Sequence, residues 1–241
     1  RKNSTGVPTW HGPERDEIMR SIAKHAAKQQ VAHAIVDGKS LTAGPTRKIV
    51  SPHDNSTDVG TINEIADENI LRALSIAAQG QRSWCDMRGR ARAVILESAA
   101  DLYEKNRDLL LALLIREAGK TLDNAQADLR EAVDFLRYYA VMARLDFDAP
   151  KPMPGPTGER NELSLHGRGV FACIAPWNFP LAIFTGQVAA ALASGNAVLA
   201  KPAEQTPLVA HAAVKLLLEA GVPSQALHFL PGDGARIGGK L

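Results

Sequence analysis

Two groups of polar residues follow apolar runs in the second half of the chain, at points where strands would end. Asn178 comes shortly after the apolar run 169–174, and Lys201 and Glu204 come after the apolar run 196–200. The carboxyl ends of parallel strands share one edge of an open α/β sheet, and ligands bind in the crevice outside that edge. The spacing therefore predicts a ligand pocket to which both groups contribute.

The first group is built around an amide that lies between two prolines. Pro176 and Pro180 restrict the backbone on both sides of Asn178, so the side-chain amide is held in a fixed direction. A preorganised donor of this kind stabilises an oxyanion in acyl transfer by about 2.7–4 kcal/mol. The alternative is that Asn178 caps the helix expected to begin at Leu181, with Trp177 in the core. The residues alone leave both interpretations open.

The second group places a cation and a carboxylate close together along the chain. Lys201 directly follows a predicted buried strand, so its charged side chain must leave the core and reach the crevice. Glu204 is near enough in sequence for both side chains to face one ligand. The hydroxyls of a ribose can donate to Glu204 and accept from Lys201. An ordinary surface ion pair is the alternative.

A glycine-rich turn at residues 232–238 follows a third predicted strand. It reads GDGARIG, and this GxGxxxG spacing differs by one residue from the GxGxxG fingerprint of dinucleotide-binding turns. As a lone pattern it is weak, and glycines at such a turn are also expected for chain reversal alone. Its place at the end of a third strand on the same edge favours a part in the same pocket.

An oxyanion donor implies a nucleophile, but neither cysteine of the chain fits that role. Cys85 lies near the end of a predicted helix outside the α/β unit, and Cys173 lies within a predicted buried strand, where thiolate formation is disfavoured. Both are predicted to be structural. His166 and His211 are part of no recognisable catalytic motif, and we interpret them as surface or loop residues.

Helical patterns occupy most of the chain before this pocket. Residues 1–45 combine a polar opening with a stretch of helical periodicity at 18–35, which we interpret as a linker or arm, the alternative being a frayed terminus. Residues 46–148 are predicted as a helical N-terminal part, with two short strands inside 48–62. Its predicted helices cover 67–81, 88–105, 109–117 and 121–144.

The remaining regions are a crossover and an alternating strand and helix pattern. Residues 149–168 contain a Pro- and Gly-rich loop and a strand at 160–167, which predicts a hairpin with an edge that a second subunit of a homodimer would cover. Residues 169–241 alternate apolar strands with helices that end at Gly195 and Gly221. This order predicts an α/β fold in which the helical region leads into a parallel sheet.

Composition excludes several classes of protein. The 28 basic and 26 acidic residues are mixed along the chain, which leaves no basic stripe for nucleic acid. Cys/His spacing predicts neither a disulfide framework nor a metal site. No apolar run predicts a transmembrane helix, and no signal peptide is recognised. We therefore expect a cytoplasmic location, and the start at Arg1 suggests a piece of a longer protein, whose other parts could contact a membrane peripherally.

The motifs together resemble the aldehyde dehydrogenase superfamily from about residue 50 to residue 241. The most specific stretches are IAPWNFP at 174–180 and KPAEQTP at 201–207. Within that superfamily, the stretches at 116–121, 130–140 and 184–193 are similar to the dehydrogenase module of the bacterial bifunctional proline utilization A family. Residues 1–6 are similar to the segment that joins the two enzymatic modules of those proteins.

This resemblance implies an NAD-dependent oxidation of L-glutamate γ-semialdehyde, the open form of pyrroline-5-carboxylate, to L-glutamate. Asn178 is implied to hold the substrate oxygen, and Phe179 to flank the aliphatic part of this small aldehyde substrate. Lys201 and Glu204 are implied to hold the adenosine ribose of NAD. The other residues implied to contact NAD are Ile174, Ala175, Pro176, Trp177, Gly234 and Gly238. FAD is implied only where the parent protein also carries an upstream proline dehydrogenase module.

The chain departs from the family pattern in what it lacks. The second cofactor-binding turn, the general-base glutamate and the nucleophilic cysteine are all expected after Leu241. We therefore expect the chain to be truncated within its NAD-binding part, inactive when assayed alone, and poor at binding NAD. Two alternatives stay open: another aldehyde dehydrogenase, such as one for succinate semialdehyde, and a non-catalytic binding or assembly module with the same fold.

Overall fold

The computed structural model describes residues 1–241 as a mixed α/β structure. In chain order the elements are α1 Gly12–Ala26, β1 Gln30–Val36, β2 Lys39–Leu41, β3 Thr46–Val50, β4 Asp58–Asn63, α2 Asp67–Asp86, α3 Gly89–Lys105, α4 Arg107–Ala118, α5 Leu122–Asp146, β5 Lys151–Met153, β6 Asn161–Leu163, β7 Val170–Ile174, α6 Ala182–Ala193, β8 Ala197–Lys201, α7 Pro207–Glu219, β9 Leu227–Phe229 and α8 Gly234–Gly238.

The last three strands of the main sheet form the parallel unit that the sequence predicts. The seven-stranded sheet has the order β3-β4-β1-β9-β8-β7, with β2 paired to β1. Strands β7, β8 and β9 are parallel, and the register places Ile174 opposite Lys201. Helices α6 and α7 are each followed by a glycine in the left-handed region, Gly195 with φ 85° and Gly221 with φ 110°. Both glycines therefore end their helices as expected.

The interpretation of residues 1–45 as a linker or arm is wrong. The stretch 18–35 is helical only as far as Ala26 in α1, and β1 then enters the main sheet. It pairs in parallel with β4 and antiparallel with β9, where Ile35 lies opposite Phe229. Because β1 joins the two halves of the sheet, most of its C-terminal side chains are buried. Burial of this strand depends on partners that are distant in sequence, which local periodicity does not reveal.

The polar opening of the chain is also tied to the helical layer. The backbone N–H of Ser4 donates to Asp134 Oδ1 at 2.8 Å, and that of Thr5 donates to Glu104 Oε1 at 2.9 Å. These contacts fasten residues 4 and 5 to α5 and α3, so the alternative of a frayed terminus does not describe them.

Two further elements differ from the sequence prediction. The strand expected over 160–167 is limited to β6, which pairs with β5 in a two-stranded hairpin whose residues are all exposed. Strand β7 was expected to be buried, but it is the edge of the main sheet, and only Cys173 of its five residues is buried. No helix of the structure is both long and apolar enough to cross a membrane.

The helical layer packs directly on the parallel unit. Helix α5 contacts both α3 and α6. The fully buried Trp84 of α2 donates its indole N–H to the carbonyl of Leu192 in α6 at 3.0 Å. Arg92 of α3 donates to the carbonyl of Ala193 at 3.1 Å. These contacts fasten the C-terminal end of α6 to the helical layer.

Candidate functional site

The structure brings together the polar residues that follow β8 and β9. Lys201 Nζ lies 3.5 Å from Glu204 Oε1, and the backbone N–H of Gly234 donates to the same oxygen at 2.8 Å. The Lys201 side chain is only 8% exposed, so the pair is not an ordinary surface ion pair, whereas Glu204 is 42% exposed and reaches solvent. The three predicted residues thus form one cluster at the edge of the sheet.

The glycine-rich turn contributes to this cluster in two ways. Gly232 adopts φ 145°, which side chains rarely tolerate, and therefore serves the chain reversal. A Cβ atom on Gly234 would lie 3.4 Å from Glu204 Oε1 and 3.5 Å from Lys201 Nζ, so its absence keeps the face of the pair open. Gly238 lies at the far end of α8, and a Cβ atom there would meet nothing within 4 Å. Gly238 therefore makes no close contact with Lys201 or Glu204.

Arg47 of β3 supports the same cluster and was missed by the sequence reasoning. Its Nη2 donates to the backbone carbonyl of Glu204 at 2.7 Å, and its Nε donates to Glu64 Oε1 at 3.0 Å. The loop after β8 is thereby fastened to β3. Because Arg47 lies 157 positions before Glu204, no local pattern could have indicated this contact.

The turn around Asn178 connects β7 to α6 without serving as the cap of the helix. The N-cap residue of α6 is Leu181, whose side chain makes no capping hydrogen bond, and Asn178 does not take that position. Asn178 is exposed, and Trp177 is 60% exposed. The alternative in which Asn178 is a helix cap and Trp177 a core residue is therefore wrong. The exposed amide of Asn178 remains free to meet a ligand.

The residues just before Asn178 lie beside the Lys201 cluster. The backbone N–H of buried Ala175 donates to the carbonyl of Lys201 at 3.1 Å, and Pro176 is half-buried. Ile174 is 59% exposed on the edge strand. The ends of β7 and β8 are thus neighbours, as predicted, and a ligand that spans them would contact both groups of polar residues.

A buried ion pair stands behind the Asn178 turn. Asp128 Oδ1 accepts the backbone N–H of Ala182 at 2.7 Å, and Lys120 Nζ lies 3.2 Å from Asp128 Oδ2. Burial raises the pKa of Asp128, and the charge of Lys120 opposes that rise. Lys120 Nζ also lies 4.4 Å from the centroid of the Phe179 ring. Sequence reasoning did not identify either member of the pair.

A second buried carboxylate holds the start of α7, just after the Lys201 cluster. Glu117 accepts the backbone N–H groups of Leu208 at 2.6 Å and Val209 at 2.9 Å. Burial raises its pKa to about 8, against the effect of these two donors. An acidic residue at the end of the mostly apolar helix stretch 109–117 was the available sequence signal.

The cysteines and histidines do not complete a catalytic set in the described residues. Cys173 is 3% exposed, and burial raises the pKa of its thiol to about 12. Cys85 accepts the backbone N–H of Gly167 at 3.2 Å, away from the Asn178 turn. His211 is buried in α7, so its interpretation as a surface or loop residue is wrong, and burial lowers its pKa to about 4.

Comparison with known proteins identifies the family. The profile of the aldehyde dehydrogenase family matches residues 40–241. The chain belongs to the aldehyde dehydrogenase family. It is 42% identical over 241 residues to the bifunctional protein PutA of Klebsiella aerogenes, and the matched region is 100% of this chain and 17% of that protein. It is 35% identical over 243 residues to 1-pyrroline-5-carboxylate dehydrogenase of Geobacillus sp. (strain WCH70), over 97% of this chain and 47% of that protein.

A solved structure of a 1-pyrroline-5-carboxylate dehydrogenase has the same fold over the length of this chain. The 1-pyrroline-5-carboxylate dehydrogenase from Thermus with bound NAD matches with a TM-score of 0.93 and 32% identity, over 100% of this chain and 47% of that one. The chain thus spans less than half the length of these relatives. The predicted resemblance to proline utilization proteins and pyrroline-5-carboxylate dehydrogenases, and the predicted α/β fold of the aldehyde dehydrogenase type, are confirmed.

Proposed function

We propose that this chain is part of an NAD-dependent aldehyde dehydrogenase that oxidises L-glutamate γ-semialdehyde to L-glutamate in proline catabolism. The observation that carries the proposal is the placement of Asn178 and the Lys201–Glu204 cluster at the ends of neighbouring parallel strands. The similarity to PutA and to pyrroline-5-carboxylate dehydrogenases supports this substrate over other aldehydes.

The residues present fit the ribose of a dinucleotide. Glu204 uses Oε1 for Gly234 and Lys201, so Oε2 remains for a ligand hydroxyl. Lys201 can donate to a second hydroxyl, and the missing side chain of Gly234 leaves that side open. When bound, NAD accepts the hydride of the aldehyde. Ile174, Ala175, Pro176 and Trp177 lie where the strand ends and would line the same ligand.

The Asn178 amide supplies the second function of the site. Pro176 and Pro180 limit the backbone angles on either side of Asn178, and the N–H donors of its amide are not used for helix capping. Directed at the carbonyl oxygen of the aldehyde, they would stabilise the negative charge that develops there by about 2.7–4 kcal/mol. The exposed ring of Phe179 would pack on the aliphatic carbons of the substrate. Neither residue moves a proton, so a nucleophile and a base are also required.

We infer that these 241 residues alone do not oxidise aldehydes. Burial keeps the Cys173 thiol protonated, and Cys85 lies away from the Asn178 turn. The nucleophile and general base must then come from other residues of the parent enzyme. Incubation of the purified chain with NAD and the semialdehyde should yield no NADH. Steady NADH formation would contradict this inference, and tight NAD binding by calorimetry would contradict the weak affinity that we expect.

The substrate and cofactor assignments are tested in the parent enzyme with two aldehydes and matched variants. Glu204→Gln should weaken NAD binding by about tenfold, because a partly exposed charged hydrogen bond contributes about 1.5 kcal/mol. Glu159→Gln, the same change at an exposed residue of the crossover, should leave the Kd for NAD unaltered. A higher kcat/KM for succinate semialdehyde would favour the other aldehyde dehydrogenase. If Glu204→Gln keeps both the NAD affinity and the activity of the wild type, the assignment of Glu204 to the ribose is refuted.

We also propose that the exposed hairpin of β5 and β6 contacts a second subunit of a homodimer. Met153 and Leu163 are both about half exposed, and no other element of the chain covers the hairpin edges. Burial of such edges in a subunit contact would protect them from aggregation. Leu163→Lys should convert a dimeric parent enzyme to monomers in light-scattering measurements, and an unchanged mass would refute the contact.

A further inference from the structure

Lys120 lies in the turn between α4 and α5 and is almost completely buried. Its side chain is 11% exposed, and its Nζ lies 3.2 Å from Oδ2 of Asp128, whose side chain is fully buried. A buried ion pair is weak evidence for stability, because the loss of hydration of both charges offsets their attraction. The arrangement of the pair relative to its neighbours is therefore the more informative property.

Each member of the pair contacts a different part of the Asn178 turn. Lys120 Nζ lies 4.4 Å from the centroid of the Phe179 ring, within the range of a cation–π interaction. Asp128 Oδ1 accepts the backbone N–H of Ala182, the first residue of α6, at 2.7 Å. The pair thus contacts the turn at two places: the side chain of Phe179, directly after Asn178, and the backbone of Ala182, four residues after Asn178.

Within the turn, the backbone N–H of Ile183 donates to the carbonyl of Phe179 at 3.2 Å, and Pro180 and Leu181 are buried. Pro180 has no backbone N–H to donate, the N-cap residue of α6 provides no side-chain hydrogen bond, and Asn178 is exposed. Prolines limit the backbone angles of the turn, but they do not fix its position relative to the helical layer. The Lys120–Asp128 pair adds a hydrogen bond and a cation–π contact between the turn and that layer.

We propose that Lys120, paired with Asp128, is a positioning residue for the aldehyde site, which sets the direction of the Asn178 amide by holding Phe179 and the first turn of α6. The inference rests on the proposed function, in which Asn178 meets the substrate oxygen. Lys120 itself does not touch the reacting atoms. Because a misplacement of about 1 Å costs about a hundredfold in rate, loss of the pair should lower kcat rather than NAD affinity.

The test uses the parent enzyme and the double variant Lys120→Met/Asp128→Asn. Changing both residues avoids a buried carboxylate without a partner, and the amide oxygen at position 128 can still accept from Ala182. The matched control is Lys48→Met/Asp58→Asn, which neutralises an exposed ion pair between β3 and β4. We expect kcat to fall by about ten- to a hundredfold in the first double variant only, with the Kd for NAD within about twofold of the wild type.

Two further variants separate positioning from a purely structural role. Lys120→Arg keeps a cation that can contact both the carboxylate and the aromatic ring, so it should recover most of the lost kcat. In an Asn178→Ala background, the double variant should cause little further loss, because both changes remove the same interaction. A full additional loss in that background would contradict action through Asn178.

Amide hydrogen exchange reads the position of the turn without any catalysis. Peptides that cover residues 177–184 should exchange faster in the Lys120→Met/Asp128→Asn enzyme than in the wild type and the control. Wild-type exchange together with wild-type kcat in the Lys120→Met/Asp128→Asn enzyme would overturn the inference.

Failure of the proposed substrate is a separate outcome. If the wild type is inactive with glutamate semialdehyde but active with another aldehyde, the proposed substrate fails, and the same kinetic comparison is made with the accepted aldehyde. If no aldehyde is accepted, hydrogen exchange alone decides whether the pair holds the turn.

Discussion

The buried carboxyl group of Glu117 makes the stability of this chain dependent on pH. Two effects oppose each other at this residue. The backbone N–H donors of Leu208 and Val209, at 2.6 and 2.9 Å, favour the carboxylate at the start of α7. Burial disfavours the charge and is the larger effect, so it raises the pKa from 4.5 to about 8.

The sign of the pH dependence follows from this direction. The folded chain holds the proton of Glu117 at pH values where the unfolded chain has released it. The contribution to stability is therefore complete below about pH 4.5 and is lost as pH rises through about 8. At about 1.4 kcal/mol for each pH unit, the free energy of unfolding falls by at most about 5 kcal/mol over this interval.

Glu117→Gln isolates this contribution, because glutamine has a similar shape and does not titrate. At about pH 5 the variant should be less stable by about 1 kcal/mol, since its amide has one acceptor oxygen for two donors. From about pH 5 to about pH 9 the free energy of unfolding of the wild type should fall and that of the variant should not. The wild type should therefore be the more stable protein at about pH 5 and the less stable one at about pH 9. Urea unfolding of the chain across this pH range, followed by the fluorescence of buried Trp84, measures both free energies.

The control is Glu159→Gln, in the exposed Pro- and Gly-rich crossover. Its free energy of unfolding should follow that of the wild type at every pH. If the difference between Glu117→Gln and the wild type is the same at both ends of the pH range, Glu117 is ionised throughout. The donors at the start of α7 would then outweigh burial, and the reasoning above would be refuted.

Two other predictions concern the candidate site. Gly234→Val places a Cβ atom 3.4 Å from Glu204 Oε1 and should weaken NAD binding by the parent enzyme about tenfold in calorimetry. The control Gly12→Val, whose Cβ atom meets nothing within 4 Å, should leave the affinity for NAD unchanged. Equal NAD affinities of the wild type and Gly234→Val would refute the open ribose face. Because burial raises the pKa of Cys173 to about 12, iodoacetamide should label Cys85 well before Cys173 in peptide mass spectrometry, and faster labelling of Cys173 would contradict its burial.

The sequence predicted the parallel unit well because its signals are local. Apolar runs, helical periodicity and glycines at positions 195 and 221 each lie within a few residues of the element that they define. The grouping of Lys201, Glu204 and Gly234 followed from one rule, that the ends of parallel strands share an edge. Local pattern and topology together were sufficient for this part of the site.

The failures of the sequence prediction share a physical cause. Strand β1 contains Ala32 and Ala34, which do not favour a strand, and its burial comes from pairing with β4 and β9. The exposure of β7 depends on its place at the edge of the sheet, not on its composition. Asp128 and Glu117 contact backbone groups 54 and 91 positions away. Contacts at such separations leave no periodic signal in one sequence.

The carboxyl groups of Asp128 and Glu117 also connect the helical layer to both groups of polar residues. Asp128 accepts a backbone N–H at the start of α6, and Glu117 accepts two at the start of α7. Helix α6 follows the Asn178 turn and α7 follows the Lys201 cluster, so each carboxylate restrains the helix that begins after one of the two polar groups. Glu117 and Lys120 are three residues apart in the chain. A displacement of the turn between α4 and α5 would therefore move the Asn178 turn and the Lys201 cluster together, because Asp128 and Glu117 hold the helices that follow them.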